Sequence, residues 1–190
     1  MASTTSIANR ALQLLGAKRV TSLSEDSRNA RSMNVAYEPV RDALLQKYPW
    51  SFAVKRAALA ADGDAPLHGR ARSFTLPSDY IRLLDPYPEV NYNDRDWFVE
   101  GNAIYTNESA PLNIRYISRV TDPNLMHPLF REMLSHALAE ATCVEIAESN
   151  TRYRELRSAL VAIAREARAA DAFIKLPADS YVDPWETARL

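Results

Sequence analysis

Cysteine is almost missing from this 190-residue sequence. Its single thiol, Cys143, cannot close an internal disulfide and supplies no Cys pair for a structural zinc site, which excludes a disulfide scaffold and a zinc finger. Glycine is scarce too: Gly16, Gly63, Gly69 and Gly101 are the four present. Their spacing cannot build a phosphate loop, a dinucleotide fingerprint or a nucleophile elbow, so nucleotide-dependent chemistry has no motif to rest on and no cofactor is expected. Long apolar runs are also lacking. The longest, Ala159 to Ala164, falls far short of the roughly 20 residues of a spanning helix. The start, Met1 to Thr5, is polar and has no signal-peptide core. The expectation is a soluble protein made in a cytoplasm, with no membrane partner.

What is present is ordinary in amount and uneven in placement. Hydrophobic residues make up 47% and charged residues 25%, enough to bury a core and too apolar for wholesale disorder. Residues 1 to 58 carry nine basic and four acidic side chains, a net +5, whereas residues 85 to 108 carry one and six, a net −5. Of the 23 basic residues 19 are arginine, the cation whose planar, forked, weakly hydrated head suits interfaces and phosphates.

Periodicity divides the chain. After the Ser3-Thr4-Thr5 cluster, Ile7, Ala8, Ala11, Leu12, Leu14 and Leu15 lie at helical spacing until Gly16, predicting a short first helix. Ser24 with Glu25 and Asp26 reads as the cap of a long second helix that ends before Pro49, with Pro39 inside it as a kink. Trp50–Leu59, Arg72–Leu76 and Leu112–Ile117 read as strands. Trp97–Val99 and Ala103–Tyr105 flank Glu100-Gly101-Asn102 as a hairpin. Third and fourth helices follow, from Asp122-Pro123 or His127-Pro128 to about residue 148, and from about 151 to Phe173. The expected fold is α+β and mainly α: a four-helix bundle (1–49 and 120–174) with an inserted small antiparallel β unit (50–119) and an extended C-terminal arm (175–190). That arm holds Pro177 and Pro184 yet also Tyr181, Val182 and Trp185, too apolar for a solvated tail, so it calls for a partner.

Chemistry is thinly supported. Glu132, His136 and Glu140 share one face of the third helix at i, i+4 and i+8; such a stripe is usually a solvated polar face rather than a metal site. Cys143 beside Val144 reads as a buried small hydrophobe. A glycan hydrolase needs two facing carboxylates. Asp94 and Asp96, beside Tyr92 and Trp97, are the best of many pairs, the others drawn from Asp62, Asp64, Glu100, Glu145 and Glu148. On the fourth helix Arg152, Arg154, Arg157, Arg165 and Arg168 are interleaved with Glu155, Glu166 and Asp171. The mixture argues against a groove-reading DNA helix and for Arg/Glu contacts between copies.

In order along the chain come IANRALQLLGAKRVTSLSEDSRNA, VRDALLQKYPWSFAVKRAAL, FTLPSDYIRLL, VEGNAIYT, two long helices and DPWETARL. This succession resembles the tail tubular protein A family, the head-to-tail adaptors (connectors) of short-tailed bacteriophages, over nearly the whole chain. The resemblance implies a structural virion protein at the head–tail junction, made in the host bacterial cytoplasm and not an enzyme. It implies a homo-oligomer, a dodecameric ring that docks on the portal protein, extends the DNA channel and gives the tail nozzle or hub protein a platform. Genomic DNA would pass through the lumen without sequence-specific binding during ejection. By the same resemblance Tyr181, Pro184, Trp185 and Arg189 would bind the portal, the β unit would face the tail, and the helices would carry subunit contacts. A virion-associated hydrolase acting on cell wall or capsule is the alternative it leaves.

Overall fold

The computed structural model describes residues 1–84 and 97–175. In chain order the elements are α1 (Thr4–Leu15), α2 (Arg28–Lys47), a 3-10 turn (Ser51–Ala53), β1 (Val54–Leu59), β2 (Arg72–Thr75), β3 (Tyr80–Leu84), β4 (Trp97–Glu100), β5 (Ala103–Thr106), β6 (Leu112–Ser118), α3 (Pro128–Ile146) and α4 (Asn150–Lys175). They belong to two compact units, one of residues 1–40 and 127–190, the other of residues 41–126. The division falls inside α2, just after Pro39.

In the helical unit, α1 opens with a reciprocal capping box: the Ser3 hydroxyl accepts from the Ser6 amide and the Ser6 hydroxyl accepts from the Ser3 amide. It closes at Gly16, whose φ of 69° is the left-handed cap for which glycine is favoured. Its apolar stripe, Ile7, Ala8, Ala11, Leu12 and Leu15, is buried as the periodicity predicts. The helix centre of this unit is α3, which packs against α1 and against α4. Met133 to Ala139 are buried without interruption, the pattern of a helix covered on several sides rather than along one stripe. Pro128 stands at its first position, so His127-Pro128 is the true start. By contrast α4 buries only Leu156, Ala167 and Asp171 outright along 26 residues.

The unit of residues 41–126 is two three-stranded antiparallel sheets, ordered β1-β6-β3 and β2-β5-β4. Ile114 and Tyr116 of the first pack with Phe74, Leu76 and Ile104, joined by Ala57, Leu59, Tyr80, Leu83, Trp97 and Leu112. The hairpin forms as read, with Gly101 at φ 58° between β4 and β5. Trp50 is 2% exposed and donates its indole N–H to the carbonyl of Leu44 at 3.0 Å, tying the end of α2 to the entry into β1. Asp42 receives Arg41 Nε at 2.8 Å and Arg119 Nε at 2.9 Å, which fastens the same stretch of α2 beside the end of β6.

The expected four-helix bundle with one small β unit is therefore wrong: four helices accompany two small sheets. The physical reason lies in α2, whose last turns send Leu44 and Leu45 into the core of the second unit, leaving no four helices in parallel layers. The β region makes two sheets because β3, which the alternation did not reveal, pairs with β6 and takes it away from the hairpin. Three further readings shift. The second helix begins at Arg28, where Ser27 Oγ accepts from the Ala30 amide, and Ser24 instead exchanges a hydroxyl bond with Ser22. Trp50 to Ala53 form no strand, since β1 starts at Val54. Val144 is 61% exposed rather than part of the α3 core.

Candidate functional site

Several of the enzymatic candidates among the described residues are occupied by structural work. Arg10 grips Glu132 through Nε at 3.0 Å and Nη2 at 2.7 Å, which holds the guanidinium pKa above its ordinary value. His136, 7% exposed, directs Nδ1 to the Glu132 carbonyl at 3.0 Å within its own helix. Glu132 and His136 are thus not part of the solvated face their spacing suggested: Glu132 ties α1 to α3 and His136 is buried. Among the described residues no group of three or more His, Cys, Asp or Glu is placed to hold a metal. Cys143 is buried, its thiol pKa pushed up by burial, with Arg152 only partly opposing the rise, so it is the inert small hydrophobe expected.

The carboxylates are dispersed in the same way. Asp62 accepts from the Thr75 hydroxyl at 2.8 Å and amide at 3.2 Å; the Ser73 and Thr75 hydroxyls hold it below the usual carboxylate range. Glu145 accepts the Ser32 hydroxyl at 2.7 Å, and Glu148 lies 3.7 Å from Arg28. Between α1 and α3 an open pocket of about 190 Å³ is lined by Ser6, Arg10, Arg131, Glu132 and Ser135 among others, below the roughly 300 Å³ at which small-molecule sites begin. Asp94, Asp96 and Tyr92, and the four portal-binding residues Tyr181, Pro184, Trp185 and Arg189, lie outside the described residues. Trp97 is described, and packs on the core of the two-sheet unit.

The outward side of α4 is the surface most suited to assembly. At 3.6 residues per turn, Ser158, Ala162, Arg165, Ala169 and Ala172 follow one another at spacings of four and three residues, with Val161 beside them. All are exposed, Val161 at 59%. Arg157 and Arg168 run along one edge of this face and Glu155 and Glu166 along the other. Small side chains at this spacing let a second helix approach closely, and flanking charges of opposite sign select its direction.

No family model matches the chain, and no curated protein matches it. Among the described residues no helix is long and apolar enough to cross a membrane.

Proposed function

We propose that the chain is a structural virion protein, the subunit of a ring-forming head-to-tail adaptor that docks on a portal, extends the DNA channel and seats the tail nozzle or hub. The observation that carries this reading is the outward face of α4. Copies laid side by side in the same direction set the Arg157/Arg168 edge of one against the Glu155/Glu166 edge of the next, whereas an antiparallel pair opposes like charges. The same-direction relation holds between all members of a cyclic ring. The resemblance of the motif order to phage adaptors supports the portal and tail assignments, and the structural duties of Asp62 and Glu145 take two of the alternative carboxylates away from hydrolysis.

The test is to mix the purified chain with the portal ring of the same genome and record mass by light scattering and shape by electron microscopy. The expected product is a discrete dodecameric ring on one end of the portal. Glu155→Arg with Glu166→Arg, which makes both edges basic, should leave helicity intact and abolish the ring. A chain that stays monomeric beside an assembly-competent portal refutes the reading. Deletion from Pro177 onward should spare the fold and remove portal binding; an unaltered affinity would sink the role given to Tyr181, Pro184, Trp185 and Arg189.

A further inference from the structure

One face of the sheet β1-β6-β3 enters the core, and the opposite face runs from open at Arg56 and Asn113 to closed at Ile117, which is 0% exposed. Side chains alternate along each strand, and the core claims Ala57, Leu59, Leu83, Leu112, Ile114 and Tyr116. The opposite set therefore includes Arg56 from β1, Arg115 from β6 and Arg82 from β3. Arg56 stands directly across from Arg115, and such partners have Cβ atoms about 5 Å apart. On the other side Arg115 pairs with Leu84 and Ile117 with Arg82, which puts Arg82 on the diagonal from Arg115 at roughly 7–8 Å. Three cations thus converge on one face, although like charges directly opposite each other destabilise a sheet.

Nothing in the described residues neutralises them. The nearest candidates are spoken for: Asp79 takes Lys55 at 2.6 Å and the Tyr116 hydroxyl at 2.9 Å, and Asp42 takes Arg41 and Arg119. The Nε atoms of Arg82 and of Arg115 are, in addition, shielded from water without a hydrogen-bond partner. A buried donor left unmade is costly, and neither guanidinium is quenched at Nε within the described residues. This orphaning is independent of the charge count and points the same way.

We propose that Arg56, Arg82 and Arg115 form a site for the phosphates of a nucleic-acid backbone. A phosphate can bridge two guanidiniums, and a nucleic-acid strand follows it at once with a second phosphate, whereas a lone carboxylate bridges two and offers nothing to a third. Bridging relieves the repulsion between Arg56 and Arg115, and the next phosphate along a strand falls to Arg82. The remaining positions of this face, Val54, Ala58, Leu84, Asn113 and the buried Ile117, include no aromatic ring for base stacking, so recognition is of backbone and not of sequence. This site does not depend on ring formation or on a portal.

The experiment measures binding of a fluorescent 20-base-pair duplex to the full chain by anisotropy, from 50 to 200 mM NaCl. Each phosphate contact contributes about 0.9 to the slope of log affinity against log salt, so three contacts predict roughly 40-fold weakening over that range. Arg56→Gln with Arg82→Gln and Arg115→Gln should weaken binding at 50 mM at least about 10-fold and remove between two and three from the slope. The single variant Arg56→Gln, at an exposed position that folding does not need, should remove about one. Lys18→Gln with Arg19→Gln and Lys47→Gln makes the same charge change at exposed positions outside the three strands and should leave affinity within about twofold. The proposal is overturned if the unaltered chain does not bind, if the two triple variants weaken equally, if tripolyphosphate binds but duplex does not, or if polyglutamate displaces the duplex as well as tripolyphosphate does.

Discussion

Replacing Arg56 by Glu should make the two-sheet unit more stable, an unusual expectation for a charge reversal. Arg56 and Arg115 are cross-strand partners, and two unit charges about 7 Å apart repel by about 0.6 kcal/mol even in a water-like dielectric. Arg56→Glu removes that repulsion and substitutes an attraction of similar size, so the gain is about 1 kcal/mol, the upper end of measured cross-strand pairs. With a urea dependence of about 2 kcal/mol per molar, the midpoint rises by about 0.5 M. Trp50 is buried in this unit and its emission follows the transition. The gain should vanish in 1 M NaCl, where the screening length is about 3 Å. A midpoint that falls, or a gain indifferent to salt, would refute the placement of the two guanidiniums. A confirmed gain would mean that the native arginine pair is kept at a cost to stability, as binding residues often are.

Two more outcomes follow from the geometry. Burial works against the charge on Asp79, but Lys55 and the Tyr116 hydroxyl outweigh it and hold its pKa below the ordinary value, while burial and then Asp79 push the Tyr116 phenol up to about 12. The lowered carboxylate adds stability above its unfolded pKa and loses it as pH falls through the folded one; the raised phenol adds stability below about pH 10 and loses it as pH climbs toward 12. Urea midpoints measured against pH should therefore flatten on the acid side in Asp79→Asn and on the alkaline side in Tyr116→Phe, and parallel curves for all three proteins would contradict the contact. Gly16→Ala should cost more than Gly101→Ala: both positions have positive φ, worth about 1 kcal/mol to an alanine, but only at Gly16 does the new Cβ meet a neighbour, Arg152 Nη1 at 3.0 Å. Thermal denaturation compares them, and equal losses would discount the Arg152 contact with the Leu15 carbonyl.

Local signals were readable in the sequence where one physical cause acted alone. The Ser3 cluster and Gly16 delimit α1 because capping and positive φ depend on neighbours within a turn. Gly101 gives the hairpin for the same reason. The starts of α2 and β1 shifted because several residues competed: Ser24 and Ser27 both offer a capping hydroxyl, and Trp50 continues an aromatic run yet serves as a buried anchor to Leu44. The architecture failed at α2. Periodicity sees one continuous apolar stripe from Met33 to Leu44, and nothing in that stripe records that its two ends enter different cores.

The arginine site shows why composition was the weaker guide to function. Counted along the chain, Arg56, Arg82 and Arg115 are single charges on three separate strands, each with the look of an ordinary outward position. Charge runs drew notice instead to the fourth helix, where Glu155 and Glu166 compensate the arginines, and to residues 85–108. Register creates what the count lacked. Because β6 pairs with β1 on one side and β3 on the other, three isolated cations become neighbours, and the carboxylates that would quench them are drawn to Lys55, Tyr116, Arg41 and Arg119. A one-residue slip of β6 would send Arg115 into the core and Ile114 into water, so the hydrophobic demand that fixes the fold also fixes the charge cluster. The position of the site is a consequence of burying Ile114 and Tyr116, and it becomes visible only once the strand between β1 and β3 is known.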